Sequence, residues 1–229
     1  MTFKKDEAIK GILKDFEKLA NLVLEQTDYL EKIMTAEEIS VPDELLKKIT
    51  KNELAIDHKE VKLSEKIVNT IVLYHPVASE LRKLMACYRI LTSLERIGDH
   101  VLNIANIVSR IKTPGVYDKL HAVLNNMTLQ SNNMVKKSLL SFLNDDRELA
   151  VWTLDNEGIL DEGNHRLLKK SVTGKRSADH NKHLLMSIIT IKEIMSDLER
   201  IADQATNIAE AAIYAMEGKD VRHHNITEK

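Results

Sequence analysis

The sequence predicts an all-α protein, built as two tandem antiparallel three-helix bundles of six long helices related by an internal repeat. Three observations carry that prediction. Among 229 residues there are only 7 Gly and 3 Pro, with 43% hydrophobic and 30% charged residues; Leu, Ala, Lys and Glu lose little rotamer freedom in a helix, so few breakers permit long ones. Apolar residues recur at three- and four-residue spacing along most of the chain, and no strand pattern of any length competes. Finally, Leu94-Glu95-Arg96-Ile97-Gly98-Asp99 with Asn103-Ile104-Ala105 recurs 104 residues later as Leu198-Glu199-Arg200-Ile201-Ala202-Asp203 with Asn207-Ile208-Ala209, eight of twelve positions being identical.

The elements follow in order. Ile9, Ile12, Leu13, Phe16, Leu19, Val23, Leu24, Leu30 and Ile33 give a first amphipathic helix over about 5–34. Pro42 and a candidate cap at Asp43 open a second, with Leu46, Ile49, Ile56, Leu63, Ile67 and Ile71 on its inner side, ending before Pro76. The third runs over about 77–111 and carries the first motif copy, and Thr113-Pro114-Gly115 punctuates the midpoint. A fourth helix is expected over about 117–143, then a turn and cap at Asn144-Asp145-Asp146, then a fifth helix over about 147–172. Ser177 is a candidate N-cap for the sixth, which carries the second copy and closes near Gly218. The expected units are therefore 1–113 and 114–218, with a polar tail over 219–229.

Several classes are excluded or disfavoured. A net charge of −2 offers no electrostatic case for nucleic acid, and Lys175-Arg176 reads as a solvated turn. One cysteine, Cys87, allows no intramolecular disulfide and fits a reducing cytoplasm; among Leu84, Met85 and Tyr88 it reads as a packing residue. The N-terminus has no apolar run of a signal peptide, and no stretch approaches the roughly 18 apolar residues of a membrane span. The expectation is a cytoplasmic protein without a transmembrane segment, reaching a membrane only through partners.

The repeat extends to a second pair of acids. Glu53 and Asp57 recur at the same offset as Glu157 and Asp161. Side chains four apart share a helix face, so one acidic pair means little; four pairs in matched register mean more. With the second and third helices antiparallel, Asp57 and Glu95 come level within roughly a helical turn. On a helical wheel Glu95, Asp99, Asn103 and Asn106 fall within about an 80° sector bordering the apolar face. Clustered carboxylates raise one another's pKa unless a cation compensates, and oxygen-rich ligand sets suit magnesium, manganese or iron. The candidate metal ligands are therefore Glu53, Asp57, Glu95 and Asp99, and again Glu157, Asp161, Glu199 and Asp203. Asn103 and Asn207 are candidates to add or orient a ligand, and Arg96 and Arg200 to balance charge. The bland alternative is a pair of solvated acidic stripes neutralised by those arginines.

Other sites find less support. A ferritin-like di-iron centre needs two Glu-x-x-His pairs, and only Glu162-x-x-His165 fits. His180, His183, His223 and His224 read as surface histidines. There is no Gly-rich phosphate loop, nucleophile elbow or triad, so no catalytic residue is assigned.

The two motif copies, each continuing into Asn-Ile-Ala, resemble the PhoU family of phosphate-uptake regulators, as do Ala205-Thr206-Asn207-Ile208-Ala209-Glu210, Ile213-Tyr214 and the ending Glu217 to His223. The resemblance implies two similar three-helix bundles binding multinuclear metal clusters through the repeated acidic motifs, hence the eight residues above as ligands of iron, zinc, manganese or magnesium. It also implies negative control of phosphate import and of the starvation response, without enzymatic turnover. The partners it implies are the ATPase of the phosphate ABC transporter and a membrane sensor kinase, with a homodimer as a further association. Two departures stand out: a longer connection over about 35–45, and Ala202 where the first copy has Gly98. The alternatives are a PhoU-like domain or accessory protein of a sodium/phosphate or Pit-type transporter, a carboxylate-metal phosphoester hydrolase, and a helical adaptor with empty stripes.

Overall fold

The computed structural model describes residues 2–36, 40–158 and 178–222. Those residues form six α-helices: α1 Thr2–Met34, α2 Asp43–Tyr74, α3 Ser79–Ile107, α4 Pro114–Asn144, α5 Arg147–Asp155 and α6 Ala178–Glu217. A short 3₁₀ turn, Val108–Arg110, continues α3. The all-α architecture of two three-helix units is as the periodicity dictates.

Each long helix buries the stripe its sequence marks. In α1, Ile12, Phe16, Leu19, Val23 and Leu30 are fully buried, and in α2 so are Ile49, Ile56 and Ile67; full burial of such side chains contributes on the order of 1.5–3 kcal/mol each. α1, α2 and α3 pack on one another, and so do α4, α5 and α6. The halves are joined by α1 against α4 and by α3 against α6, whereas α2 touches only α1 and α3 among the described residues. The join is apolar: one core cluster draws on α1, α2, α3, α4 and α6, and Phe16 meets Phe142 edge-on at 4.9 Å.

The helix ends follow local chemistry, with one correction. Asp145 takes a left-handed φ of 54° after α4, and the Asp146 carboxylate then accepts the Leu149 N–H at 3.1 Å to cap α5. Gly218, at φ +72°, ends α6 with its N–H on the Tyr214 carbonyl at 2.9 Å. Asp43, expected as the cap of α2, is instead its first helical residue; the cap position is Pro42, which has no side-chain acceptor, and Asp43 and Glu44 favour the helix start only through the dipole. The midpoint linker is held by Ser187 on α6, whose buried hydroxyl accepts the N–H groups of Lys112 and Thr113 at 3.0 and 3.1 Å.

Two details bear on the site below. Asn52 of α2 is buried and donates to the Leu22 carbonyl at 2.9 Å and to Gln26 Oε1 at 3.0 Å, while Gln26 donates to the Ile49 carbonyl at 3.2 Å. This clamp sets the register of α2 on α1 next to Glu53, because each buried amide stays satisfied in only that register. Secondly, a Cβ on Gly98 would stand 3.3 Å from Ile56 Cδ1, so the glycine lets α2 and α3 approach closely at the level of the acidic residues.

Helix five departs from expectation. Among the described residues it runs only to Asp155, and Asn156, Glu157 and Gly158 form a turn; the rest of the expected helix and the candidate cap Ser177 lie outside the described residues. Among the described residues no helix is long and apolar enough to cross a membrane.

Candidate functional site

The groove between α2 and α3 gathers the four acids of the first unit. The antiparallel run sets Glu53 beside Asp99 and Glu95 beside Asp57 and Glu60. Glu53 is only 8% exposed. Burial, the charges of Asp57 and Asp99, and hydrogen bonding with both raise its pKa to about 7 from an ordinary 4.5. Burial first, then the charges of Asp99, Asp57 and Glu60, also raise Glu95, opposed by Arg96. Four carboxyls crowded against an apolar wall with too little compensating charge are a donor set suited to a hard cation. Among the described residues no three of them stand at the spacing of a metal shell.

In the second unit Glu199 and Asp203 repeat the exposure of Glu95 and Asp99, and Glu157 differs from the buried Glu53. Glu199 is half-buried and Asp203 exposed on α6, and Glu157 is exposed on the turn after α5. Asp161 lies outside the described residues, as do Glu162, His165, Lys175, Arg176, His223 and His224, and the side chain of His180. His183 is exposed. Cys87 is fully buried and burial raises its thiol pKa far above the ordinary range, so it packs and does not react.

Of the four residues expected to support the acidic groups, Arg96 balances charge beside Glu95 and also lines the seam between α3 and α6, where Asn103, Arg200 and Asn207 make their contacts. Asn103 Nδ2 donates to Asp197 Oδ2 at 2.6 Å. Arg200 Nη1 lies 3.8 Å from Asp197 Oδ1, and Asn207 donates to Gln204 Oε1 at 3.4 Å. Arg96 lines a cleft with Asn207. The reason is the helical twist: each step of four residues turns the side chain by about 40°, so a stripe that begins over α2 at Glu95 has rotated towards α6 by Asn103.

The seam also holds residues that sequence reasoning passed over. Asp197 is buried at 3% exposure, with His100 Nδ1 at 3.0 Å. Arg89 stacks on Tyr214 at 4.9 Å and, with Arg96 and Arg222, borders the cleft of about 220 Å³. The available signal was positional: Asp197 stands where the first copy has Ser93, the one exchange of an acid for a small residue beside otherwise matched motifs. Arg89 carries no motif signal, whereas Arg222 lies in the Glu217 to His223 ending that resembles the family.

Comparison with known proteins agrees with this architecture. The PhoU domain family model matches twice, over residues 16–108 and 124–212. The chain is 32% identical over 213 residues, covering 93% of itself and 92% of the relative, to the phosphate-specific transport system accessory protein PhoU homolog of Aquifex aeolicus. Its fold is similar to the crystal structure of PhoU from Pseudomonas aeruginosa, with a TM-score of 0.81 at 22% identity, covering 93% of this chain and 99% of that one. It is similar also to the phosphate transport system regulatory protein PhoU from Streptococcus pneumoniae, with a TM-score of 0.77 at 22% identity, covering 95% of this chain and 99% of that one.

Proposed function

This chain belongs to the PhoU family, and from that membership we propose that it is a regulator of phosphate transport and of phosphate-starvation signalling, binding metal ions and acting through contacts with other proteins. The observation that carries the reading is the doubled family match, spread over both three-helix units and joined to a relative of nearly equal length named as a transport accessory protein. In this reading the chain works on the cytoplasmic side, its partners are the ATPase of a phosphate importer and a sensor kinase, and it turns over no substrate.

Glu53, Asp57, Glu95 and Asp99 are the residues we assign to hold a metal ion in the first unit, with Glu157, Asp161, Glu199 and Asp203 as the counterpart in the second. When bound, a divalent or trivalent ion would supply the positive charge that these crowded carboxylates of α2 and α3 lack. What the chain itself contributes is the crowding: the Asn52–Gln26 clamp and the close approach at Gly98 hold the acids near one another before any ion arrives.

A phosphate-starvation reporter in cells lacking this protein tests the regulatory role. Expression that stays high in abundant phosphate is expected; a reporter still silent there removes the repressor reading. Elemental analysis of untagged protein tests the metal role separately, with Glu95→Ala/Asp99→Ala as the comparison, and equal metal content in both would remove the first site.

A further inference from the structure

The two ends of the α3–α6 seam are related by the repeat and differ at one decisive position. At one end the Asp197 carboxylate accepts from Asn103 at 2.6 Å, sits 3.0 Å from His100, and has Arg200 at 3.8 Å. The 104-residue offset maps Asp197 onto Ser93 and Arg200 onto Arg96, and it maps His100 and Asn103 onto Gln204 and Asn207. All four counterparts line the cleft at the other end of the seam. The donors are retained and the carboxylate is not: Ser93, itself 6% exposed, ends in a hydroxyl where Asp197 carries an anion.

The cleft also gathers Arg89 and Arg222, with Glu210 and Asp220 as the acids beside them. Arg89 enters from α3, stacked on Tyr214. Arg222 follows Gly218 beyond the end of α6, and its Nε and Nη2 donate to the two Asp220 carboxylate oxygens at 2.8 and 2.5 Å, which leaves further N–H groups on Nη1 and Nη2. A guanidinium has five N–H donors, so neither contact exhausts them. About 220 Å³ is several times the roughly 30 Å³ share of a water molecule, yet below the roughly 300–1,000 Å³ of sites for drug-sized ligands. The space fits a small anion.

We propose that this cleft binds inorganic phosphate, with the anion taking the place that the Asp197 carboxylate fills at the other end of the seam. Arg96, Gln204 and Asn207 supply the repeat-related donors, and Arg89 and Arg222 match the added charge. Glu210 and Asp220 border the same cleft. An ionised carboxylate only accepts, so it is compatible with an anion that still carries a proton. Inorganic phosphate keeps at least one P–O–H at neutral pH and sulfate keeps none, so the cleft selects phosphate over sulfate. The choice of phosphate as ligand rests on the regulatory reading above; the anion site itself rests on the repeat comparison.

Equilibrium dialysis of radiolabelled inorganic phosphate against the full chain in chelator, with sulfate as competitor, tests this. One saturable site per chain is expected. Ser93→Asp, which installs the acid of the other copy, is expected to weaken phosphate at least tenfold while the thermal melt is unchanged or raised. Arg96→Gln, at an exposed side chain, is expected to weaken it at least tenfold too and keeps the test decisive should Ser93→Asp fail to fold. Lys62→Gln, in the lysine-lined hollow beside Asp15, serves as the control for unspecific attraction and is expected to bind as the parent does. No saturable binding up to about 10 mM phosphate, native affinity in folded Ser93→Asp or in Arg96→Gln, equal competition by sulfate, or equal weakening by Lys62→Gln would each overturn the proposal. Absence of saturable binding in the parent with an intact starvation response would remove this inference alone; binding with an unresponsive reporter would remove the regulatory reading alone.

Discussion

Glu95 and Asp99 meet Glu53, Asp57 and Glu60 of α2, whereas Glu199 and Asp203, with the same exposure on α6, have as their described counterpart a Glu157 that stands on an exposed turn instead of being buried like Glu53. The motif is spelled almost identically in both places. The difference lies in the neighbouring helix. α2 runs for 32 residues without glycine or proline inside it, so Glu53 and Asp57 keep helical spacing against α3. α5 ends after 9 residues, and Asn156 and Gly158 suit a turn because they tolerate conformations that a helix interior disfavours. Glu157 thus starts from an exposed turn, where Glu53 sits buried within a long helix. Gly98 sharpens the contrast, since the second copy has a buried Ala202 at that position.

The largest expected effect comes from the packing behind the first cluster. Ile56 is fully buried between α2 and the Gly98 stretch of α3. Ile56→Ala is expected to cost about 2–5 kcal/mol in urea unfolding, by transfer and cavity terms. A cost under about 1 kcal/mol would show that α2 is not held tightly enough to create the cluster.

Metal affinity breaks the comparison next. Glu95→Ala/Asp99→Ala is expected to weaken metal binding by about a hundredfold, near 2.7 kcal/mol, in calorimetric titration. Glu199→Ala/Asp203→Ala is expected to change the total less, because Glu157 stands on an exposed turn. Equal losses would make the two copies equivalent sites. Adding chelator to the parent is expected to lower its Tm, and to leave the first double variant nearly unmoved.

Acid–base behaviour separates the copies further. Glu53 binds its proton more tightly when folded, with a pKa of about 7 against an ordinary 4.5. Its contribution to the metal-free protein is therefore fully present below about pH 4.5 and is lost as pH rises through about 7, on the order of 1–3 kcal/mol. Parent minus Glu53→Gln stability, measured by chemical denaturation in chelator, is expected to fall over that window. Glu157→Gln is expected to track the parent at every pH, and a matching shift there would mean that the second unit crowds its acids as well.

The smallest effect concerns the glycine. Gly98→Ala gains about 1 kcal/mol of helix propensity and loses a similar amount where the new Cβ meets Ile56 at 3.3 Å, so the net change is expected within about 1 kcal/mol. Ala202→Gly has no such offset and is expected to cost about 1 kcal/mol or more. A melt in which both substitutions behave alike would mean that the close approach of α2 is not special to the first copy.

The helical periodicity, the repeat and the meeting of the first four acids were determined by the sequence alone, though not the stop of α5 at Asp155. Apolar spacing is a local property that survives into the fold, as in Ile49, Ile56, Leu63 and Ile67, and identical motifs at one offset require related positions. The α2–α3 meeting was legible too, because a short connection at Pro76 leaves an antiparallel hairpin little choice of register. What only the tertiary structure decided is the seam between α3 and α6. Asn103 on Asp197, Arg89 on Tyr214, and the gathering of Arg96, Gln204, Asn207 and Arg222 join residues about a hundred or more positions apart. No periodicity encodes the angle and register at which two such distant helices cross. Those follow from the shared core of both halves, and with them the fact that a serine lines an arginine-edged cleft where its repeat partner supplies a carboxylate.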